Sequence, residues 1–175
     1  RTDGLGDVAG EGEAVTVLRL EGITASASHR ATSLRELLAP FGTATLIEDD
    51  TSSALWDTIR DILPFAASGV LGAWPVWRIV CPPASGAALG TQLARETGGD
   101  VIYDWGGGLI WAAVPPKSDA HAPSVRQRAD AFGGHATLIR AAEDVRRGVD
   151  VFHPQASGIA ALSERVRASF DPKSI

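Results

Sequence analysis

The stretch from Val76 to Arg140 constrains the fold most, because apolar segments and helical patterns alternate there in the order β-α-β-β-α-β. Val76 to Cys81 reads as a strand, broken by Pro82-Pro83. Ser85 to Thr97 carries Leu89 and Leu93 on one helical face and ends at Gly98-Gly99. Val101 to Tyr103 is a short strand, and Gly106 to Gly108 make a tight turn into a further strand, Leu109 to Val114. Ser124 to Phe132 places Val125, Ala129 and Phe132 at i, i+4 and i+7, Gly133-Gly134 stop the helix, and His135 to Arg140 closes the set. Strands joined by so short a turn run antiparallel. The expected fold is therefore α+β, a largely antiparallel sheet with helices packed on one face, and its second half is the split βαβ or ferredoxin-like arrangement.

The first half reads as a shorter β-α-β-α version. Val15 to Leu20 and Ala44 to Glu48 are the expected strands. His29 to Ala39 is a helix with Leu34, Leu37, Leu38 and then Phe41 on one face, ended by Pro40 and Gly42. A second helix, opened by Thr51-Ser52 and stopped at Pro64, carries Leu55, Trp56, Ile59, Ile62 and Leu63. Glycine-rich Ala66 to Pro75 reads as a linker or loop. A last helix, Ser157 to Phe170, is expected to turn Ile159, Leu162, Val166 and Phe170 inward. Residues 1–13, glycine-rich and acidic without periodicity, read as a flexible arm or linker end. With 175 residues, 45% of them hydrophobic, the rest suffices for one domain, 14–175, with subhalves of about 14–65 and 76–175. The first residue is Arg1 and methionine is absent, so the chain is expected to be part of a longer protein.

Charge narrows the function classes. A net charge of -5 without a clustered basic footprint argues against nucleic acid as a partner. No apolar run approaches the ~20 residues that span a bilayer, and a cytoplasmic location is expected. Cys81 is the single cysteine, and His29, His121, His135 and His153 show no paired ligand spacing, so no metal site is expected. Gly106 to Gly108 lead into a strand rather than a helix, which suits a hairpin turn and not a phosphate loop. No Gly-x-Ser-x-Gly elbow places a hydrolase nucleophile.

Four side chains stand out beside ordinary structural readings. Strand alternation puts Trp77, Ile79 and Cys81 on one face and Arg78 on the other with Val76 and Val80. Arg78 is either in a structural ion pair, or snorkelling at the surface, or aimed at an anion; guanidinium suits a carboxylate. Trp105 and Trp111, around the hairpin, either fill the core or line a flat ligand. His135, on the same face as Thr137 and Ile139, either bonds turn backbone or meets a ligand at the sheet edge. His153-Pro154 reads as a turn.

Five local sequences then occur in order: Val76-Trp77-Arg78-Ile79-Val80, Tyr103-Asp104-Trp105-Gly106-Gly107, Gly133-Gly134-His135-Ala136-Thr137-Leu138-Ile139-Arg140, Val151-Phe152-His153-Pro154, and Phe170-Asp171-Pro172-Lys173-Ser174-Ile175. Together they resemble the C-terminal half of the FAD-binding E subunit of bacterial glycolate oxidase (glycolate dehydrogenase), among the FAD-linked oxidases of the vanillyl-alcohol oxidase type. The resemblance spans about Val15 to Ile175 and is strongest from Trp77 onward. It implies a cap domain that covers the flavin ring and shapes the substrate pocket, with FAD held mainly by an N-terminal domain that this chain lacks. The implied reaction is oxidation of glycolate, or a related 2-hydroxy acid, to the 2-oxo acid. His135 is the implied catalytic residue, Arg78 and Arg140 the substrate-binding residues, and Trp105 and Trp111 the cofactor contacts. The implied partners are the D subunit and the iron–sulfur subunit, with peripheral inner-membrane association through that complex. The family's tail continues into an Asn-Pro-Gly sequence, whereas this chain stops at Ile175, so truncation at that end is expected too. A non-catalytic ferredoxin-like binding or subunit-interface module is the alternative.

Overall fold

In the computed structural model, residues 14–173 are described. The expected arm 1–13, and Ser174 and Ile175 of the last motif, lie outside them. The chain divides into two compact units between Val70 and Leu71, inside the expected loop.

The second unit is a four-stranded antiparallel sheet in the order β2-β3-β1-β4. Its strands are β1 (Val76–Val80), β2 (Asp100–Asp104), β3 (Leu109–Ala113) and β4 (His135–Arg140). Helix α3 (Pro83–Thr97) links β1 to β2, and α4 (Ala122–Ala131) links β3 to β4. Each crossover skips one strand, which is the expected split βαβ arrangement. Trp77 and Ile79 of β1, Ile110 and Ala112 of β3, and Ala136 and Leu138 of β4 point to one face. There they bury against Leu89 and Leu93 of α3 and Val125 and Ala129 of α4. Trp77 is fully buried, and its indole N–H donates to the Ala120 carbonyl at 2.9 Å, which satisfies the polar edge of the largest core side chain. Thr97 closes α3: its hydroxyl donates to the Leu93 carbonyl at 2.8 Å and accepts from the Gly99 N–H at 3.1 Å.

The outer edge of β4 is covered by the chain that returns after α5 (Glu143–Gly148), a helix the sequence pattern did not announce. The Leu138 N–H donates to the Val151 carbonyl at 2.8 Å, and the Ala136 N–H donates to His153 Nδ1 at 3.2 Å. His153 Nε2 lies 2.9 Å from Asp130 Oδ1, so both ring nitrogens are engaged. Arg126, stacked on Trp77, donates to the carbonyls of Asp150 and Phe152 and holds the same strap. Val151-Phe152-His153-Pro154 thus shields a sheet edge that would otherwise present unpaired backbone groups.

Helix α6 (Ser157–Phe170) has the expected bounds but not the expected packing. Ile159, Leu162, Val166 and Phe170 are 50 to 88% exposed. The helix-bearing face of the sheet is already filled by α3 and α4, so a further amphipathic helix finds no layer there.

In the first unit, α1 (Thr24–Leu38) and α2 (Asp49–Arg60) form, while Val15 to Leu20 and Ala44 to Glu48 are not strands. Both segments lack secondary structure. A strand needs a hydrogen-bonded neighbour, and local alternation signals only the wish for one. Leu55 and Phe65 are the buried hydrophobics of this unit among the described residues. A groove of about 240 Å³ opens between the segments and helices, lined by Val17, Leu34, Leu38, Ile47, Leu55 and Trp56 among others.

Candidate functional site

Partners across an antiparallel ladder share a face, so register decides which side chains meet. Arg78 is opposite Trp111 on β3 and Thr137 on β4, and Trp111 is opposite Ile102 on β2. One row on the helix-free face therefore reads Ile102, Trp111, Arg78, Thr137. All four are half-buried. The next row reads Asp104, Leu109, Val80, His135, with Leu109 buried and His135 exposed.

The turn between β2 and β3 supplies the remaining piece. Trp105 has φ +53°, a left-handed conformation costly for a bulky residue. Asp104 holds it there, its carboxylate accepting from the Trp105 N–H at 2.7 Å. Gly106 and Gly107 follow at φ +61° and +98°, where glycine carries no steric cost. The turn is pressed against α3: a Cβ on Gly86 would stand 1.9 Å from the Gly107 carbonyl oxygen. The Cys81 N–H also donates to the Gly108 carbonyl at 3.0 Å. A strained aromatic on a tightly fixed turn is a feature found at ligand sites.

The Arg78 guanidinium lies 5.4 Å from the centroid of the Trp105 ring. The stack contributes about 0.5–1 kcal/mol at a site this open, and it leaves the edge N–H groups of the guanidinium for another acceptor. Among the described residues, Arg78 has no ion pair and no side-chain hydrogen bond. Of the three readings open at the sequence level, the structural ion pair is therefore not made among the described residues. Nor is either hairpin tryptophan core: Trp105 is 58% exposed and Trp111 is half-buried, while Trp77 takes the core position. The His135 side chain makes no hydrogen bond among the described residues, and the histidine whose ring bonds backbone is His153 instead.

Arg140 is set apart from this group. A register irregularity between Val76 and Trp77 sets Arg140 opposite Val76, one row from Arg78 on the side away from His135. Its guanidinium donates to the carbonyls of Leu71 at 2.8 Å and of Trp74 at 3.1 and 3.2 Å. Burial lowers its pKa from a value so high that the charge persists at neutral pH. The arginine fastens the 71–74 turn to the sheet.

Arg78, Trp105, Trp111 and His135 are thus gathered on one sheet face, and Thr137, which alternation alone did not single out, joins them by register. The arrangement suits an anion: a cation held flat on an aromatic, a second aromatic wall beside it, and a hydroxyl and an imidazole along one margin. No group of His, Cys, Asp and Glu among the described residues is arranged to hold a metal ion. None of the candidate residues lines the groove of the first unit, whose walls are chiefly apolar. Among the described residues, no helix is long and apolar enough to cross a membrane. No protein-family model, curated protein or solved structure matches the chain.

Proposed function

We propose that this chain is the cap domain of an FAD-dependent 2-hydroxy-acid oxidoreductase of the glycolate oxidase type, acting with a flavin-binding domain and with D-type and iron–sulfur subunits. The observation that carries the reading is the Arg78 guanidinium, without an ion pair among the described residues, stacked on Trp105 beside Trp111 on the sheet face free of helices. The five ordered motifs support it independently. Three of them supply this face: Val76 to Val80 brings Arg78, Tyr103 to Gly107 brings Trp105, and Gly133 to Arg140 brings His135 and Thr137.

The residues present fit part of FAD. Two indoles on an open face match a flat aromatic ring, whereas the hairpin glycines lead into a strand and offer no helix N-terminus for a diphosphate. The ring is therefore the part this chain would cover, through Trp105 and Trp111, and the nucleotide part belongs to another domain. Bound FAD would supply a two-electron acceptor for oxidising the 2-hydroxy acid to the 2-oxo acid. Arg78 holds the substrate carboxylate and thereby fixes which face of the α-carbon is presented. His135, exposed and without a hydrogen-bond partner among the described residues, takes the hydroxyl proton.

One observation favours the second reading, a non-catalytic subunit-interface module: the apolar stripe of α6 is exposed, as a surface awaiting a partner would be. Producing the chain in frame with its upstream segment separates the two. A yellow protein whose visible flavin absorbance is bleached anaerobically by a 2-hydroxy acid is the expected result; a colourless protein refutes the oxidoreductase reading.

A further inference from the structure

The strands contribute very different chemistry to the helix-free face, and the difference runs in one direction across the sheet. On β4 the face carries His135 and Thr137, with Arg140 in the next row bonded to the Leu71 and Trp74 carbonyls; β1 carries Arg78, β3 Trp111, and β2 Ile102 between Asp100 and Asp104. Neighbouring strands are about 4.8 Å apart, so these columns span roughly 14 Å, enough for a small organic acid laid across them. The polar margin of His135 and Thr137 is on the β4 side. The apolar surface is on the β3 and β2 side, and the carboxylates that flank it repel further negative charge.

We infer that this face selects monocarboxylic 2-hydroxy acids with an apolar side chain, over glycolate, which has none, and over dicarboxylic 2-hydroxy acids. The inference rests on the proposal that Arg78 anchors the substrate carboxylate. With that group on β1, a 2-hydroxyl directed to β4 meets Thr137 and His135, and the side chain is directed over Trp111 towards Ile102. A second carboxylate on the side chain would be directed towards Asp100 and Asp104. Asp104 is committed to the Trp105 N–H and does not swing away without releasing that residue. Trp111 and Ile102 are thus specificity-determining residues, and Asp100 excludes acidic side chains.

Isothermal titration calorimetry of the chain produced in frame with its flavin-binding domain, with glycolate, 2-hydroxy-4-methylpentanoate and malate, tests this. A buried CH₂ is worth about fourfold in affinity, so partial burial of an isobutyl group on Trp111 predicts at least ~10-fold tighter binding than glycolate. Malate is expected to bind more weakly than the isobutyl acid by a similar factor. Trp111→Ala should bring the isobutyl acid to within about threefold of glycolate, and Asp100→Asn should narrow the gap to malate. Trp111→Leu, which keeps an apolar side chain on the strand, should retain part of the preference and guards against a misfolded alanine variant. Arg78→Ala should abolish binding of all three. If the acids bind in an Arg78-dependent way with equal affinity, or malate binds best, the side-chain selectivity is overturned and the carboxylate anchor stands. If none binds, or Arg78→Ala changes nothing, the anchor itself falls and the selectivity with it.

Discussion

Gly86→Ala is the sharpest test of how the Trp105 turn is held. The added Cβ would stand 1.9 Å from the Gly107 oxygen, 2.8 Å from its carbonyl carbon and 3.0 Å from its Cα. All three are backbone atoms, so no rotamer change relieves the contact, and helix or turn must retreat by more than ~1 Å. Overpacking of this kind costs about 1–3 kcal/mol, and rigid backbone on both sides places it at the upper end. Replacing glycine within a helix returns about 1 kcal/mol of propensity. A net loss of about 2 kcal/mol follows, or ~8–16 °C in melting temperature for a domain of about 100 residues. Thermal and urea unfolding of wild type and variant, read by tryptophan fluorescence and far-ultraviolet dichroism, measures it. Gly158→Ala in α6, where an added Cβ meets nothing within 4 Å, is the control and should be neutral or slightly stabilising. The displaced turn should also unseat Trp105 from Arg78, so carboxylate affinity should fall alongside stability. A Gly86→Ala protein that melts within about 2 °C of wild type, or above it, refutes the reasoning.

Other outcomes follow from the same contacts. Trp77→Phe removes the indole N–H from the Ala120 carbonyl and leaves a void; a loss of about 2–3 kcal/mol is expected in urea unfolding, and a loss under ~0.5 kcal/mol counts against the buried hydrogen bond. Arg140→Met withdraws charged donors from the Leu71 and Trp74 carbonyls and should cost about 2–3 kcal/mol, while leaving 2-hydroxy-acid affinity intact; lost affinity at retained stability would return Arg140 to the substrate site. His153→Ala should accelerate amide hydrogen exchange at Ala136 and Leu138 by ~5- to 30-fold, the rate factor for about 1–2 kcal/mol, and unchanged exchange there would mean that the strap does not depend on the imidazole. Burial raises the Cys81 thiol above its ordinary value, so the unfolded thiol ionises first. Its contribution to stability is present below the unfolded thiol's pKa and is lost as pH rises through the folded value. Native protein should therefore be alkylated far more slowly than a free cysteine at mildly alkaline pH, and a matching rate would show that the thiol is open to solvent.

Legibility followed the locality of each signal. The β1 to β4 segments, α3 and α4 were readable because glycine and proline punctuate every boundary and the apolar periods are unbroken between them. The faces of β1 were readable as well: alternation separates Trp77 and Ile79 from Arg78, and the core takes the first two. The same signals misled in Val15 to Leu20 and Ala44 to Glu48, where alternation is present but no ladder forms. They misled again in α6, whose stripe is amphipathic without a surface to cover it. Arg140 and Thr137 exchanged importance for a reason alternation does not contain. Regular register sets Thr137 beside Arg78, while past a one-residue irregularity Arg140 stands opposite Val76 and is committed to the Leu71 and Trp74 carbonyls.

Side-chain period and backbone dihedral preference over a few residues were enough for the α+β class, the strand and helix order of Val76 to Arg140, and the face of β1 that enters the core. That Arg78 rests on Trp105, that the ring of His153 and not of His135 bonds backbone, and that Trp111 and Thr137 flank one guanidinium emerged with the folded chain. Those facts depend on ladder register and on the close approach of α3 to the Gly107 turn. Residues far apart in the chain set both, and no local pattern encodes them.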